Sequence, residues 1–127
     1  MEPLLISLLV VLLIGTGVGK AVADAQAHGS GRLTAWFPKW AGPDAWRNKY
    51  RNYYLDTKTP AFWGSKTVFV FATDIWHFAN LVTWACWAAA VLLSCWLGRS
   101  AFWYAVAGLV AGKLLFEPLY KFLRKSI

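Results

Sequence analysis

The stretch from Phe78 to Leu97 contains twenty residues without a single charged side chain. About 20 apolar residues in a helix cross the roughly 30 Å hydrocarbon core of a bilayer, so this run predicts a membrane-spanning helix. Of the 127 residues in the chain, 58% are hydrophobic and only 15% are charged. A soluble domain of this length leaves too much surface exposed to bury that apolar content, and disordered chains lack its aromatic residues. The composition therefore indicates an integral membrane protein.

A second apolar segment lies at the amino terminus, where sixteen uncharged residues run from Leu4 to Gly19. Small residues extend this segment, and residues 1–27 are predicted to form an amino-terminal transmembrane anchor. A cleaved signal peptide is the alternative, because the small residues at the end of the segment resemble a cleavage site. Glu2, in place of a basic amino-terminal region, and Lys20, after the apolar core, favour an uncleaved anchor.

A third apolar segment follows a tight turn at residues 98–100. It begins at Ala101 and is interrupted further on by Lys113 and Glu117. Residues 67–127 are therefore predicted to form a transmembrane helical hairpin with a basic carboxy-terminal tail. Together with the anchor, the hairpin gives an all-α fold with three transmembrane helices.

The polar residues 28–66 separate the anchor from the hairpin and are predicted to form a cytoplasmic loop at the membrane interface. Glycines at its start predict a flexible joint, and Asp44 is a typical residue to precede a helix, here a short amphipathic one over residues 45–54. Aromatic rings share one face of that helix beside arginines, as in helices that lie in the membrane interface. The residues predicted to contact lipid or a partner are Trp36, Trp40, Trp46, Arg47, Tyr50, Arg51, Tyr53 and Tyr54.

The positive charges are distributed unevenly along the chain. Thirteen Lys and Arg against six Asp and Glu give a net charge of +7, and eight of the thirteen lie between Lys20 and Lys66. Basic loops stay on the cytoplasmic side, so the pattern predicts a multi-pass protein of the inner membrane with its amino terminus outside and its carboxy terminus inside. The same charges predict attraction to anionic lipid headgroups. No nucleic-acid-binding motif accompanies them, and we expect no nucleic-acid partner.

Two pairs of glycines, each spaced four residues apart, predict close helix contacts. Gly15 and Gly19 lie in the anchor, and Gly108 and Gly112 lie in the last helix. The first pair precedes Lys20, but the spacing and the hydroxyl residue of a phosphate-binding loop are missing. Small residues at this spacing let helices approach closely in a membrane. The last helix is predicted to use its glycines against the other helix of the hairpin or against another copy of the protein.

Polar residues near the ends of the hairpin helices form the most informative pattern. If the hairpin folds about residues 98–100, Glu117 lies beside Asn80 and Lys121 lies beside His77. Ionisable groups within a membrane often mark a proton, ion or headgroup site, and histidine is the side chain that most readily changes charge near neutral pH. Alternatively, these groups neutralise one another at the interface and fix the register of the hairpin. The predicted cluster comprises Asp74, His77, Asn80, Lys113, Glu117 and Lys121.

A combination of short segments resembles a pattern in small uncharacterised membrane proteins of bacteria and phages. It consists of residues 46–49 (WRNK), residues 67–71 (TVFVF) and residues 73–77, which read TD, any residue, then WH. No activity is attached to that pattern. The resemblance implies that the loop and the start of the second helix form one unit.

Two classes of function remain open from the sequence. The first is a non-enzymatic membrane protein that acts through helix assembly, as an accessory subunit of a larger complex or by self-association like one class of holins. The nine Trp residues exceed what membrane interfaces require and favour a protein partner. The second is a membrane enzyme or proton- or ion-handling protein that uses Asp74, His77 and Glu117. We expect no metal site, because the other histidine, His28, lies far from His77 in the flexible joint. For the first class of function we predict no cofactor and no catalytic residue.

Overall fold

The computed structural model describes residues 1–29 and 31–125 of the chain. Most of these residues are helical, which confirms the all-α prediction apart from one two-stranded β-hairpin. In chain order the elements are α1 (Glu2–Ala27), α2 (Gly31–Trp36), α3 (Pro38–Ala41), a 3₁₀ turn (Ala45–Lys49), β1 (Tyr50–Asn52), β2 (Asp56–Pro60), a second 3₁₀ turn (Val70–Ala72), α4 (Ile75–Leu97), a third 3₁₀ turn (Gly98–Ala101) and α5 (Phe102–Arg124).

Two helical stretches are long and apolar enough to cross a membrane, Glu2–Ala27 and Ile75–Arg124. The second stretch contains both α4 and α5, which the turn at Gly98 separates. Gly98 has a φ of 70°, a left-handed conformation that glycine adopts without the strain other residues would suffer. Large apolar side chains are exposed along both helices, among them Trp84 and Leu92, each 72% exposed. The outer faces of α4 and α5 are therefore apolar.

The helix α1 is the main contact of both α4 and α5, which touch each other much less than either touches α1. It runs antiparallel to α4, since Gly15 lies near Cys86 and Gly19 lies near Ala79. It runs parallel to α5, and at its amino-terminal end Glu2 lies 3.5 Å from the hydroxyl of Ser100. This arrangement differs from the hairpin that the sequence predicted, in which α4 and α5 pair directly, because α1 occupies the position between them.

Three glycines of α1 make these contacts close. A Cβ added to Gly17 would overlap the carbonyl group of Gly112 on α5, and one added to Gly19 would overlap the hydroxyl of Thr83 on α4. Gly15, on the same side as Gly19, also faces α4. The glycines at positions 15 and 19 thus bring α4 close, while the glycine between them brings α5 close.

The small-residue face of α5 receives α1. A Cβ at Gly108 would lie 3.0 Å from Cβ of Leu13, and a Cβ at Gly112 would lie 2.9 Å from the carbonyl oxygen of Leu13 and 3.4 Å from Cα of Ile14. The sequence predicts that this face contacts the other helix of the hairpin, α4, or another copy of the protein. In the structure this face is covered by the amino-terminal helix of the same chain.

Two apolar clusters hold the opposite ends of the three-helix bundle. At the end near residues 98–101, called the turn end, Leu9 and Leu13 of α1 cluster with Ala90 and Ala101. At the opposite end, called the loop end, the long helices are joined by α2 and α3. The buried residues of the loop-end cluster are Ala25, Leu33, Ala41, Ile75 and Leu123.

The predicted helix over residues 45–54 is wrong. The helical turn ends at Lys49, and Tyr50 has an extended backbone with φ −100° and ψ 146°. The side chain of Asp44 makes no capping bond and instead forms an ion pair with Arg47, with 3.3 Å between Oδ1 and Nη1. The chain continues as β1, which pairs antiparallel with β2.

Side-chain bonds of Asp56 stabilise β2, the strand that pairs with β1. The carboxylate of Asp56 accepts the backbone N–H of Lys58 at 2.7 Å and that of Thr59 at 3.2 Å, together with the Thr59 hydroxyl. The Thr59 hydroxyl and then the Lys58 N–H lower the pKa of Asp56, because they bond to its charged form. Tyr, Asn and Thr, which are frequent in this segment, are also weaker helix formers than Ala or Leu.

The structure describes Gly29 and Gly31 of the joint that follows α1. Gly29 has a φ of 79°, and α2 begins at Gly31. Ser30, in the predicted flexible joint, and residues 126–127 of the predicted tail lie outside the described residues.

We predict that Gly17→Ala destabilises the bundle by about 1–3 kcal/mol, the usual cost of overpacking, because the new Cβ meets backbone that cannot move aside. Unfolding in detergent micelles, followed by circular dichroism, measures the change. Val11→Ile is the matched control, since it also adds one carbon to α1 but at a position that is 62% exposed. Equal stability of the two variants would contradict the close contact of α1 with α5.

Candidate functional site

The candidate site lies at the loop end of the bundle, where α4 begins. Asp74 precedes the helix, and its Oδ1 accepts the backbone N–H of His77 at 2.9 Å. An Asp at this position satisfies a backbone donor that a helix start otherwise leaves unpaired. The same carboxylate bonds through Oδ2 to Nδ1 of His77 at 2.7 Å and to the hydroxyl of Thr73 at 3.3 Å. The side chain of Asp74 is only 4% exposed, so these bonds hold it inside the protein.

A cavity of about 390 Å³ opens beside the side chains of Asp74 and His77. It lies between the end of α1, the segment around Pro43 and the start of α4. Gln26 of α1 lines it, and the amide oxygen of Gln26 is buried without a hydrogen-bond partner among the described residues. The remaining lining residues are Ala27, Gly29, Gly42, Pro43, Ala45, Trp46, Asp74, Trp76 and His77.

The geometry of the pair determines what it can do chemically. A carboxylate bonded to Nδ1 of histidine orients the ring, and Nε2, which has no hydrogen-bond partner among the described residues, can bond a ligand. The ring of Trp76 meets the His77 ring edge to face, with 4.8 Å between centroids, and restricts its rotation. Within the described part of the chain, no three His, Cys, Asp or Glu residues come together as a metal site would require.

The six residues of the predicted polar cluster divide into separate groups. Asp74 and His77 bond to each other, whereas Asn80 donates to the carbonyl of Trp76, one turn earlier on the same helix, at 2.9 Å. Glu117 forms an ion pair with Lys121 at 3.1 Å, not with Asn80 or Lys113. Lys113 lies one turn before Glu117 on α5, in a separate groove. The predicted contacts across the hairpin do not form because α1, not α5, packs along α4.

The predicted aromatic and basic contact residues form two groups. The first is the arginine cluster, Trp46, Arg47, Tyr53 and Tyr54. The guanidinium carbon of Arg47 lies 5.1 Å from the ring centroid of Trp46 and 5.0 Å from those of Tyr53 and Tyr54, and Arg47 also bonds the Tyr54 hydroxyl. Such contacts between a cation and aromatic faces are attractive. These residues therefore share one surface, which a turn and a strand form in place of the predicted helix.

The second group packs against the long helices or lies on the strand. Trp36 contacts Phe122 of α5, with 6.1 Å between ring centroids, and Trp40 contacts Phe78 of α4 at 5.2 Å. Tyr50 lies under two cations, with Nζ of Lys49 at 5.5 Å and Nζ of Lys66 at 5.3 Å from its ring centroid, and Arg51 is exposed on β1.

Sequence reasoning missed the residue that joins the loop to α4. The side-chain amide of Asn48 donates to the carbonyl of Lys39 at 2.6 Å and to the carbonyl of Thr73 at 2.8 Å. It thereby connects the segment 46–49 to the residue before Asp74. Sequence reasoning also missed Gln26. The feature that could have indicated it is a single amide side chain among small apolar residues at the end of the anchor.

Comparisons with known protein families, with curated proteins and with solved structures find no match to this chain.

We predict that Asp74→Ala lowers the free energy of unfolding by about 1 kcal/mol or more, because it removes the cap of α4. Asp74→Asn retains an oxygen for the His77 N–H and is expected to lose much less, since Asn and Asp cap equally well. Thermal unfolding in micelles compares the two variants. Asp44→Ala is the control, because Asp44 is exposed and makes no capping bond. If all three variants unfold alike, the capping role of Asp74 is contradicted.

Proposed function

We propose that this chain is a small, non-enzymatic integral membrane protein that acts through helix assembly, as an accessory subunit of a membrane complex or by self-association. The observation that carries this proposal is the apolar outer surface of α4 and α5. Trp96 and Trp103, on either side of the turn, are 80% and 75% exposed, and Leu114 is 70% exposed. Soluble proteins rarely expose contiguous apolar surface of this extent, which is typical of membrane or partner contacts.

The proposed arrangement has three spans, α1, α4 and α5, in the inner membrane. Glu2 and Ser100 mark the turn end, where Arg99 is the nearby cation. The basic loop and the end of α5, with Lys121 and Arg124, lie together at the loop end. This asymmetry supports an orientation with the amino terminus outside and the loop and carboxy terminus in the cytoplasm.

The loop is proposed to lie against the cytoplasmic face of the membrane. Its arginine cluster combines aromatic rings with a cation, and the exposed Trp63 and Leu55 lie in the same loop. Aromatic side chains favour the headgroup region, and Lys and Arg favour anionic headgroups. These residues support a role for the loop in contact with lipid or with a partner at the membrane surface.

A second candidate function is a proton- or ion-handling protein centred on Asp74 and His77. The 2.7 Å contact between the two side chains, beside a cavity of about 390 Å³, favours it. Glu117, which the sequence placed in the same site, pairs with Lys121 and is not part of this candidate.

We predict the sidedness of the protein from single cysteines in a background in which Cys86 and Cys95 are replaced by Ala. In intact cells, a membrane-impermeant maleimide is expected to label Ser100→Cys at the turn end and to leave Lys58→Cys in the loop unlabelled. Cell lysis should then expose Lys58→Cys. The reverse pattern would overturn the orientation, and labelling of both positions in intact cells would contradict the three-span arrangement.

We predict that the double variant Trp84→Ala and Leu92→Ala lowers the fraction of the chain found in a complex about tenfold, because buried aromatic anchors dominate interfaces. Both residues lie on one face of α4, two turns apart, and gel filtration in mild detergent measures the complex. Leu4→Ala is the control, since it shortens an apolar side chain that is 72% exposed but lies on α1, outside the surface of α4 and α5.

A wild-type chain that runs as a monomer without a bound subunit would contradict assembly. If His77→Gln abolishes the biological activity while the complex persists, the second candidate function replaces the first.

A further inference from the structure

A groove of about 520 Å³ opens on the bundle where α1 holds α4 and α5 apart. Lys20 and Asp24 of α1 lie at its floor. Trp87 of α4 forms one wall, and Lys113 and Phe116 of α5 form the other. The groove is distinct from the cavity beside Asp74 and His77, with which it shares no lining residue.

The charges in this groove do not balance. Lys20 forms an ion pair with Asp24, four residues later on the same helix. The hydroxyls of Thr16 and Thr83 donate to carbonyls of their own helices, at 2.6 Å and 2.8 Å. Lys113 has no hydrogen-bond or ion-pair partner in the part of the chain that the structure describes. The groove therefore carries one uncompensated positive charge among apolar walls.

The position of the groove along the helices identifies the level at which a ligand would bind. Lys20 follows Glu2 by eighteen residues, about 27 Å along the axis at about 1.5 Å per residue. In the proposed three-span arrangement this distance is close to the roughly 30 Å thickness of the hydrocarbon core. Long Lys side chains extend toward the headgroups from such a depth. Lys113 is one residue beyond Gly112, which contacts Gly17, and lies near the same level.

We propose that the groove binds one anionic phospholipid of the cytoplasmic leaflet. The lipid phosphate is held by the ammonium group of Lys113, beside the ion pair of Lys20 with Asp24, and an acyl chain extends toward the turn end along Trp87 and Leu109. Charge complementarity supports this occupant, because a phosphate neutralises the unpaired Lys113, whereas a zwitterionic lipid leaves a positive charge uncompensated. The proposal rests on the three-span arrangement proposed above.

Native mass spectrometry of the purified full-length chain tests the proposal, with phosphatidylglycerol and phosphatidylcholine of identical acyl chains added to the micelles. We expect phosphatidylglycerol adducts to exceed phosphatidylcholine adducts, and Lys113→Gln to lower them about fivefold. Lys113→Arg should retain them. Lys121→Gln is the matched control, because it removes one positive charge from the same helix but from an exposed pair outside the groove.

Equal losses with Lys113→Gln and Lys121→Gln, or equal adducts with both lipids, would overturn the proposal. A second measurement tests whether a helix from another copy of the chain occupies the groove. The variant Leu109→Cys, in a background without the native cysteines, is reconstituted in phosphatidylglycerol vesicles and oxidised. A disulfide-linked dimer would assign the groove to a second copy and also overturn the lipid proposal. The labelling experiment on Ser100→Cys and Lys58→Cys separately establishes whether the chain spans the membrane, so failure of the lipid site alone is distinguishable.

Discussion

The close contact of α1 with both other long helices is the constraint on which the rest of the structure depends. In the proposed membrane arrangement, helices gain no hydrophobic free energy by leaving lipid for one another, so van der Waals contact between smooth surfaces must hold them. Gly17 provides that contact toward α5, and Gly15 and Gly19 provide it toward α4. Because glycine backbones approach so closely, α1 occupies the space that a directly paired hairpin would have closed.

The loop-end architecture follows from this central position of α1. The end of α1 joins α2, α3 and the start of α4 around one apolar cluster, and Asn48 ties the loop to the residue before Asp74. The cavity beside Asp74 and His77 is lined by Gln26 and Ala27 at the end of α1 as well as by the start of α4. The candidate site is thus made by segments that are distant in sequence, and its integrity depends on α1 as much as on α4.

The sequence predicts single elements better than the contacts between them. The uncharged run ends at Leu97, where α4 ends, because Gly98 follows it with a φ of 70° and terminates the helix. The helix expected over residues 45–54 fails because helical spacing of aromatics also suits a turn followed by a strand. The glycine spacing on α5 predicts close contact but does not specify the partner. A hairpin register counted from the turn at residues 98–100 takes no account of α1, and it therefore pairs Glu117 with Asn80.

The ion pairs explain why charge does not determine how the helices pack. Among the described residues, each joins two side chains three or four positions apart on one segment, as Lys20 with Asp24 and Glu117 with Lys121. Such pairs neutralise charge locally and contribute little to stability when exposed. They cannot fix the register between helices, which is left to glycine contacts and the two apolar clusters. Lys113 lies outside this local pairing, and its charge therefore attracts an anion from outside the chain.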